Sequence, residues 1–409
     1  MHIGIAAPLA TKDIADLLGD HAGAAPPGYI GAPLVATLIR ALLKRGHQIS
    51  AVTTDTSLPV NRPDAVSVRS DNLTVHYVPQ RKSAFMLRDG TWGRAWDFFA
   101  LERNALVRAI KLSTPDIVHA HWSYEFAWSA IDSGIPHLIT AHDSPLHVLK
   151  QSWSAYRAVR YAMARHVFKR AKAISAVSPF VREAIQPWVE KPVHVVGNPL
   201  STNKDPTRHS RDLCPRSSPV ISMVINGWQG LKNPENAFRA FRLLRRRIPS
   251  ASLHAYGNDF GKGGKAEFWC HNNGLLEGCH FHGYLSFQEL QLAIADSDIL
   301  LHTSRLESCP MGILEAMSIG IPIVGGRRSG GVPWVVGDAG LLTDIENPQM
   351  IADSMHRLLT DSALHKKCVG FAISRSQIDF GEDAITNAYE TLYSEVLSQF
   401  DSKKQRNSV

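Results

Sequence analysis

The feature that most constrains this chain is a repeated change of period, in which short runs of β-branched and aliphatic residues alternate with segments of helical apolar spacing along most of its length. Strands followed by helices predict a parallel sheet, because a parallel pair needs a long crossover to bring the chain back to the same edge. Residues 2–7 read as the first strand. A loop rich in Gly, Ala and Pro (19–33), a helix over 34–45 stopped at Gly46 and a second strand at 48–53 follow. Residues 116–122, 137–140, 173–178 and 193–196 read as further strands. The pattern then breaks over 200–219, a polar, proline-bearing stretch with linker character. It resumes with strands at 220–225, 252–256, 280–283 and 298–303, helices from Asn233 and up to Ala295, and a last helix over about 382–400. A chain of 409 residues is long for one core. The expectation is therefore an α/β protein with domains at 1–199 and 220–380, a linker at 200–219, and a terminal helix and tail at 381–409.

Composition narrows the class. With 44% hydrophobic and 20% charged residues the chain is of ordinary globular type. No apolar run is long enough to span a bilayer, and no basic leader precedes the first strand, so a cytoplasmic location is expected. The five cysteines are scattered and read as reduced thiols. Cys270, His271, Cys279, His280 and His282 cluster in sequence but fit none of the common zinc spacings, and His280 and His282 would share one side of a short strand.

The formal net charge of +7 is unevenly spread. No acid occurs from Ser144 to Arg182, where Lys150, Arg157, Arg160, Arg165, Lys169, Arg170, Lys172 and Arg182 alternate with Trp153, Tyr156, Val159, Met163 and Phe168. This is either a basic amphipathic surface that rests on anionic membrane or a solvated helix face, with equal weight. No nucleic-acid recognition motif accompanies the charge, so nucleic acid is not an expected partner.

The densest chemical signal lies in residues 304–334, SRLESCPMGILEAMSIGIPIVGGRRSGGVPW. Ser308 is placed to cap a helix with Pro310 in its first turn, directing free N–H groups and the positive dipole end toward a ligand beside Glu307. Such a helix start suits phosphate. Glu315 lies within that helix, so two carboxylates reach one ligand site and can accept hydrogen bonds from hydroxyl groups. Ser329-Gly330-Gly331 before Pro333 lets backbone N–H groups approach a ligand closely. Lys232, directly before Asn233 as N-cap and Pro234, joins a cation to a second helix N-terminus. Together these point to a sugar nucleotide.

The spacing of Glu307 and Glu315, with the strand, Glu-Ala-Met helix and Ser-Gly-Gly-Val-Pro loop in order, resembles the E-x7-E signature of the family 4 retaining glycosyltransferases. That resemblance implies the GT-B architecture: two Rossmann-like domains facing across a cleft, with the C-terminal helix packing back on the first domain. It implies that Glu307 contacts the donor sugar, Glu315 holds the ribose, Lys232 the diphosphate, and Ser308, Gly312, Ser329, Gly330, Gly331 and Gly257 line the donor site. The family's usual diphosphate arginine is missing before Lys232, and Arg305, Arg327 or Arg328 are its candidate substitutes. In the first domain His142, at the end of the T-A-H strand, matches the position nearest the reacting centre. Gly28 and Gly31 match the acceptor-side glycine loop, and Asp143, Trp122 and Tyr124 shape the acceptor pocket. His119 and His121 are read as structural. Asp296-Ser297-Asp298 has the look of a metal-binding D-x-D but occupies a position without a metal role in the family.

The expected activity is retaining, metal-independent hexosyl transfer from a UDP- or GDP-sugar, with no cofactor, to a glycan or lipid-linked acceptor. Bacterial surface polysaccharide or glycolipid synthesis at the inner face of the membrane is the expected setting. The hydrophobic segment 85–99 with Trp92 and Trp96 supports a lipid-linked acceptor or belongs to the core. A sugar-nucleotide epimerase or hydrolase, and a non-catalytic nucleotide-sugar-binding protein, are the alternatives.

Overall fold

The computed structural model describes residues 1–61, 64–201, 215–228 and 230–407. Two compact units emerge, Met1–Ser201 with Glu382–Val409, and Thr202–Gly381. Most of the expected linker, with Cys214, lies outside the described residues.

The first unit is built on eight strands: β1 (His2–Ala6), β2 (Gln48–Asp55), β3 (Val66–Ser70), β4 (Leu73–Pro79), β5 (Ile117–His121), β6 (His137–Ala141), β7 (Ile174–Ala176) and β8 (His194–Val195). Their order is β3-β4-β2-β1-β5-β6-β7-β8, with only the β3–β4 pair antiparallel. Every residue of β5 and β6 is buried, which is the pattern of strands covered on both faces. Sequence reasoning did not find β3 and β4; β3 carries the polar, half-exposed pattern of an edge strand.

Packed on this sheet are Leu38 and Ile39 of the helix Pro33–Lys44 and, from the far end of the chain, Ile385, Tyr389 and Tyr393 of the helix Glu382–Asn407. Arg45 and His47 both bond Glu390 at 2.7 Å, fastening that last helix from outside the core. The terminal helix is thus a structural part of the first unit.

The second unit has six parallel strands: β9 (Val220–Val224), β10 (Ser252–Tyr256), β11 (Cys279–Gly283), β12 (Ile299–His302), β13 (Ile323–Gly326) and β14 (Gly340–Thr343), in the order β11-β10-β9-β12-β13-β14. Phe238, Phe241 and Leu244 of the helix Pro234–Arg245 pack over β9 and β10 residues such as Met223 and Leu253.

In each sheet the chain starts in the middle and winds outward both ways. The winding reverses between β1 and β5 in the first unit and between β9 and β12 in the second. Loops at the carboxyl ends of two strands flanking such a reversal diverge and leave a crevice, the preferred ligand position of open α/β sheets.

Candidate active site

The reversal in the second unit brings together residues that lie far apart in sequence. Lys232 leaves the carboxyl end of β9, Glu307 follows β12, and Lys232 Nζ meets Glu307 Oε1 at 2.6 Å. His302, the last residue of β12, places Nε2 3.7 Å from the same oxygen. Burial alone would push the Glu307 carboxyl up, but His302 and Lys232 outweigh it and hold the group at about 2. The ion pair therefore favours the ionised form of Glu307. Sequence reasoning missed His302, because nothing in a strand-end histidine says which loop will fold over it.

The glycine loop is tied to this acid through the backbone. Glu307 N donates to Ser329 O at 3.3 Å and Gly331 N donates to Glu307 O at 2.7 Å, a parallel bridge across Gly330. Gly330 takes φ 63°, which a glycine adopts without strain. Ser304 and Ser329 are buried with hydroxyl oxygens that find no partner among the described residues.

Glu315 lies in the helix Met311–Ser318, largely buried, with no ion pair among the described residues. Burial pushes its carboxyl up to about 7. The expected cap is corrected here: the helix begins at Met311 with Pro310 in the N-cap position, and Ser308 makes no capping bond. Pro310 keeps the preceding segment extended, so the helix starts later than Ser308 would set it. A Cβ added to Gly312, in the first turn, would come within ordinary contact range of Val224.

A second capping expectation also changes. Asn233 is the N-cap of Pro234–Arg245, yet its amide donates to Ile345 O at 2.9 Å and leaves the helix N–H groups uncapped by a side chain. Gly257 ends β10 at φ 121°, and a Cβ there would lie 1.9 Å from Ile225 O. It marks close packing of two loop starts at the same sheet edge.

The three substitute arginines separate clearly. Arg305 holds Glu346 through Nε at 2.7 Å and a second nitrogen at 2.8 Å, and also bonds the Gly230 carbonyl. Its guanidinium braces the Lys232 loop and has few donors left for a ligand. Arg327 faces Asp344 at 3.5 Å. Arg328 is exposed and has no ion pair among the described residues. Trp334 packs edge-on against Phe380.

The D-x-D look-alike is at the opposite edge. Asp298 accepts from Val220 N at 2.8 Å at the amino end of β9, Asp296 pairs with Arg216 at 3.0 Å, and Ser297 bonds Ser222. On β10 and β11, His254, His280 and His282 stack on one exposed face, while Cys270 is a buried core residue of the helix Lys265–Asn272. The clustered cysteines and histidines of the sequence therefore point apart.

In the first unit the carboxyl edge carries His142, one residue beyond β6. Its Nε2 lies 2.9 Å from Nδ1 of His121, and Trp122 stacks on it at 4.2 Å between ring centres. Trp122 takes φ 63°, an unusual conformation for a bulky residue. Burial drives the imidazoles of His119, His121 and His142 down, His121 to about 3. His119 bonds Tyr393 and Thr140, both at 2.7 Å.

Asp143 accepts from Tyr124 OH at 2.9 Å, and Arg160 lies over the Tyr124 ring at 3.6 Å. Gly28 donates its N–H to Asp55 at the end of β2, at φ 75° with a would-be Cβ 2.3 Å from Leu9 O. Gly31, at φ 128°, has open space around it.

The basic stretch changes character in three dimensions. Arg160 turns inward to Tyr124 and Glu125, Arg170 pairs with Asp132, and Met163 and Phe168 are core residues. Lys150, Arg165, Lys169, Lys172 and Trp153 remain exposed. Trp92 and Trp96 are each 64% exposed, whereas Phe99 is buried.

Two family models cover most of this architecture: Glycosyltransferase Family 4 matches residues 32–204, and Glycosyl transferases group 1 matches residues 214–375. The chain belongs to family 4 of the glycosyltransferases. Along 91% of its length it is 25% identical to N-acetyl-alpha-D-glucosaminyl L-malate synthase of Bacillus anthracis, covering 95% of that protein. It is 24% identical to D-inositol 3-phosphate glycosyltransferase of Corynebacterium efficiens over 70% of each chain. The fold is GT-B. It is similar to sucrose-phosphate synthase of Thermosynechococcus elongatus at TM-score 0.71 and 17% identity, covering 98% of this chain and 100% of that one. Anabaena HepE, solved with UDP and glucose, matches at TM-score 0.64 and 16% identity over 96% of this chain and 100% of that chain. The glycosyltransferase has neighbours in polysaccharide and glycolipid synthesis, among them a lipopolysaccharide outer core galactosyltransferase. No described helix is long and apolar enough to cross a membrane.

Proposed function

We propose that this glycosyltransferase moves a hexose from a UDP- or GDP-sugar to a glycan or lipid-linked acceptor with retention of anomeric configuration and without a metal ion. The observation that carries this reading is the convergence of Lys232, Glu307 and the Ser329–Gly331 backbone beside one reversal point. A departing nucleoside diphosphate gathers negative charge as its bond to the sugar breaks, and preorganised cations and N–H groups stabilise that charge. In this reading Lys232 supplies the cation and the glycine loop the N–H groups. Glu307, in its ionised form, accepts hydrogen bonds from donor-sugar hydroxyls, and Glu315 holds the ribose.

A carboxylate held at about 2 is a poor proton acceptor. In this reading the acceptor proton goes to the leaving phosphate on the same face of the sugar. The new glycosidic bond forms there as the old one breaks, and the configuration is kept. UDP is the first donor base to test, since Anabaena HepE was solved with UDP-glucose and a trehalose-6-phosphate enzyme of E. coli with UDP-2-fluoro glucose.

His142, Trp122, Asp143, Gly28 and Gly31 form the acceptor side of the first unit. The exposed Trp92, Trp96 and Trp153 and the neighbouring lysines suit an acceptor at the inner, anionic face of the membrane in surface polysaccharide or glycolipid synthesis.

Melting temperature measured with UDP, GDP, ADP and their sugars in EDTA tests the donor site, because a ligand that binds only the folded state raises it. A shift with UDP or GDP is expected, and no shift with any nucleotide defeats the reading. Turnover of donor without acceptor would indicate an epimerase or hydrolase, and binding without turnover a non-catalytic protein. The anomeric configuration of the product, read by NMR, decides retention.

A further inference from the structure

His142 lies at the end of a column of rings that runs into the core. Tyr393 and Tyr389 border His119, the His119 ring tilts against His121 at 4.2 Å, His121 lies nearly parallel to His142 with 5.2 Å between centres, and His142 stacks on Trp122 at 4.2 Å. His119 is held at both nitrogens, by Tyr393 and Thr140, so the column has a fixed base. The ring of His142 is clamped between neighbours and joined to His121 by one hydrogen bond, Nδ1 to Nε2 at 2.9 Å.

That bond holds one proton, and its owner decides the chemistry His142 can offer. Both rings are buried and stay neutral, so each carries one N–H. His121 is 1% exposed, and its other nitrogen, Nε2, has no partner among the described residues. If His142 owned the shared proton, His121 would bear its N–H on Nε2, a buried donor with no acceptor. If His121 owns it, only a lone pair is left bare. Orphaned buried N–H groups are the rarer outcome in folded proteins.

We infer that His121 is a positioning residue that keeps the proton of His142 on Nδ1, so that His142 meets its ligand as a hydrogen-bond donor and not as a base. The inference rests on the reading of His142 as a sugar-contacting residue. It adds a source for the polarity of that contact: a donor from Nδ1 suits a hydroxyl or ring oxygen that gains nothing by losing a proton. It also accounts for a strand histidine that the sequence marks only as structural.

The tautomer is read on the full chain, free of substrate, labelled with 15N-histidine, in long-range proton–nitrogen spectra with His142 identified by loss of its signals in H142Q. A protonated Nδ1 and bare Nε2 at His142 are expected; a protonated Nε2 overturns the inference. Two variants test the consequence. In H121N the side-chain amide can donate to His142 Nε2 as His121 does, whereas in H121D a carboxylate accepts from Nε2 and reverses the tautomer. H121D is expected to transfer sugar at least tenfold more slowly than H121N, with the His142 pattern inverted. Equal rates with an unchanged pattern would reduce His121 to packing. If neither variant folds, the wild-type spectrum alone decides. The spectrum needs no turnover, so its failure is distinct from failure of the glycosyl-transfer reading.

Discussion

Lys232 Nζ and Glu307 Oε1 meet at 2.6 Å, so the cation assigned to the diphosphate rests on the carboxylate assigned to the sugar. Each side chain holds the other in place before the donor arrives, and a ligand anion joins an existing charge cluster without having to assemble one. Removing either partner should leave the other misplaced. K232A and E307Q are each expected to lower kcat by about 10²- to 10³-fold. The double variant should be little worse than either single one, because both disrupt one unit. Additive losses, measured in a full kinetic cycle, would mean that the two act separately.

Glu315 couples pH to both stability and nucleotide binding. Its carboxyl sits at about 7 in the folded protein against an ordinary value of 4.5. Between those values the folded state binds more protons than the unfolded state, so stability from this group falls as pH rises from about 5 to 8. The ribose hydroxyls need the ionised form as acceptor, so nucleotide affinity should rise over the same interval. Melting curves and titration calorimetry at pH 5.5 and 8 should show these opposite trends, and E315Q should flatten both. A wild-type melting temperature with no decline attributable to Glu315 would contradict its burial.

Among the three candidate arginines, availability singles out Arg328. Arg305 and Arg327 face Glu346 and Asp344, whereas Arg328 has no ion pair among the described residues. R328A is expected to raise KM for the nucleotide sugar about tenfold with the melting temperature unchanged. R327A should leave KM within about twofold. R305A should act through stability, since it releases the loop that carries Lys232. The reverse ranking of R328A and R327A in KM would remove Arg328 from the phosphate site.

Two glycines are held by space as well as by dihedral angle. A Cβ on Gly257 would lie 1.9 Å from Ile225 O, and one on Gly28 would lie 2.3 Å from Leu9 O, both backbone atoms. G257A and G28A should each cost about 2–3 kcal/mol or more, from the positive φ together with the clash. G31A, at φ 128° but in open space, should cost less. Urea midpoints of the three variants check this order.

Much of the fold was legible because its strands are buried on both faces and read as unbroken apolar runs, as at β5 and β6. The β3–β4 hairpin was not, since β3 is an edge strand of Val, Ser and Arg without an apolar face to announce it. Within the site, Lys232, Glu307 and the Ser329–Gly331 loop were legible from helix starts and glycines, which are local signals. Their pairing was not, because it depends on strand order: β9 and β12 are adjacent in the sheet but far apart in the chain. The Arg305–Glu346 clamp was hidden likewise, whereas His302 was hidden because the loop that meets it must fold back over the strand end, and His121 because its contact with His142 needs β5 and β6 paired in register. Ser308 and Asn233 show the limit of capping rules, since a side chain near a helix start can take a tertiary partner or stand two residues too early.

The helix Glu382–Asn407 closes a unit that began at Met1. During synthesis from the amino terminus, the first-encoded sheet must wait for Ile385, Tyr389 and Tyr393 to emerge before its core is filled, while the continuous second unit already has its whole sequence. The nascent chain therefore completes its domains in reverse order. A released chain of residues 1–381 should protect the second unit from protease and leave the first one vulnerable.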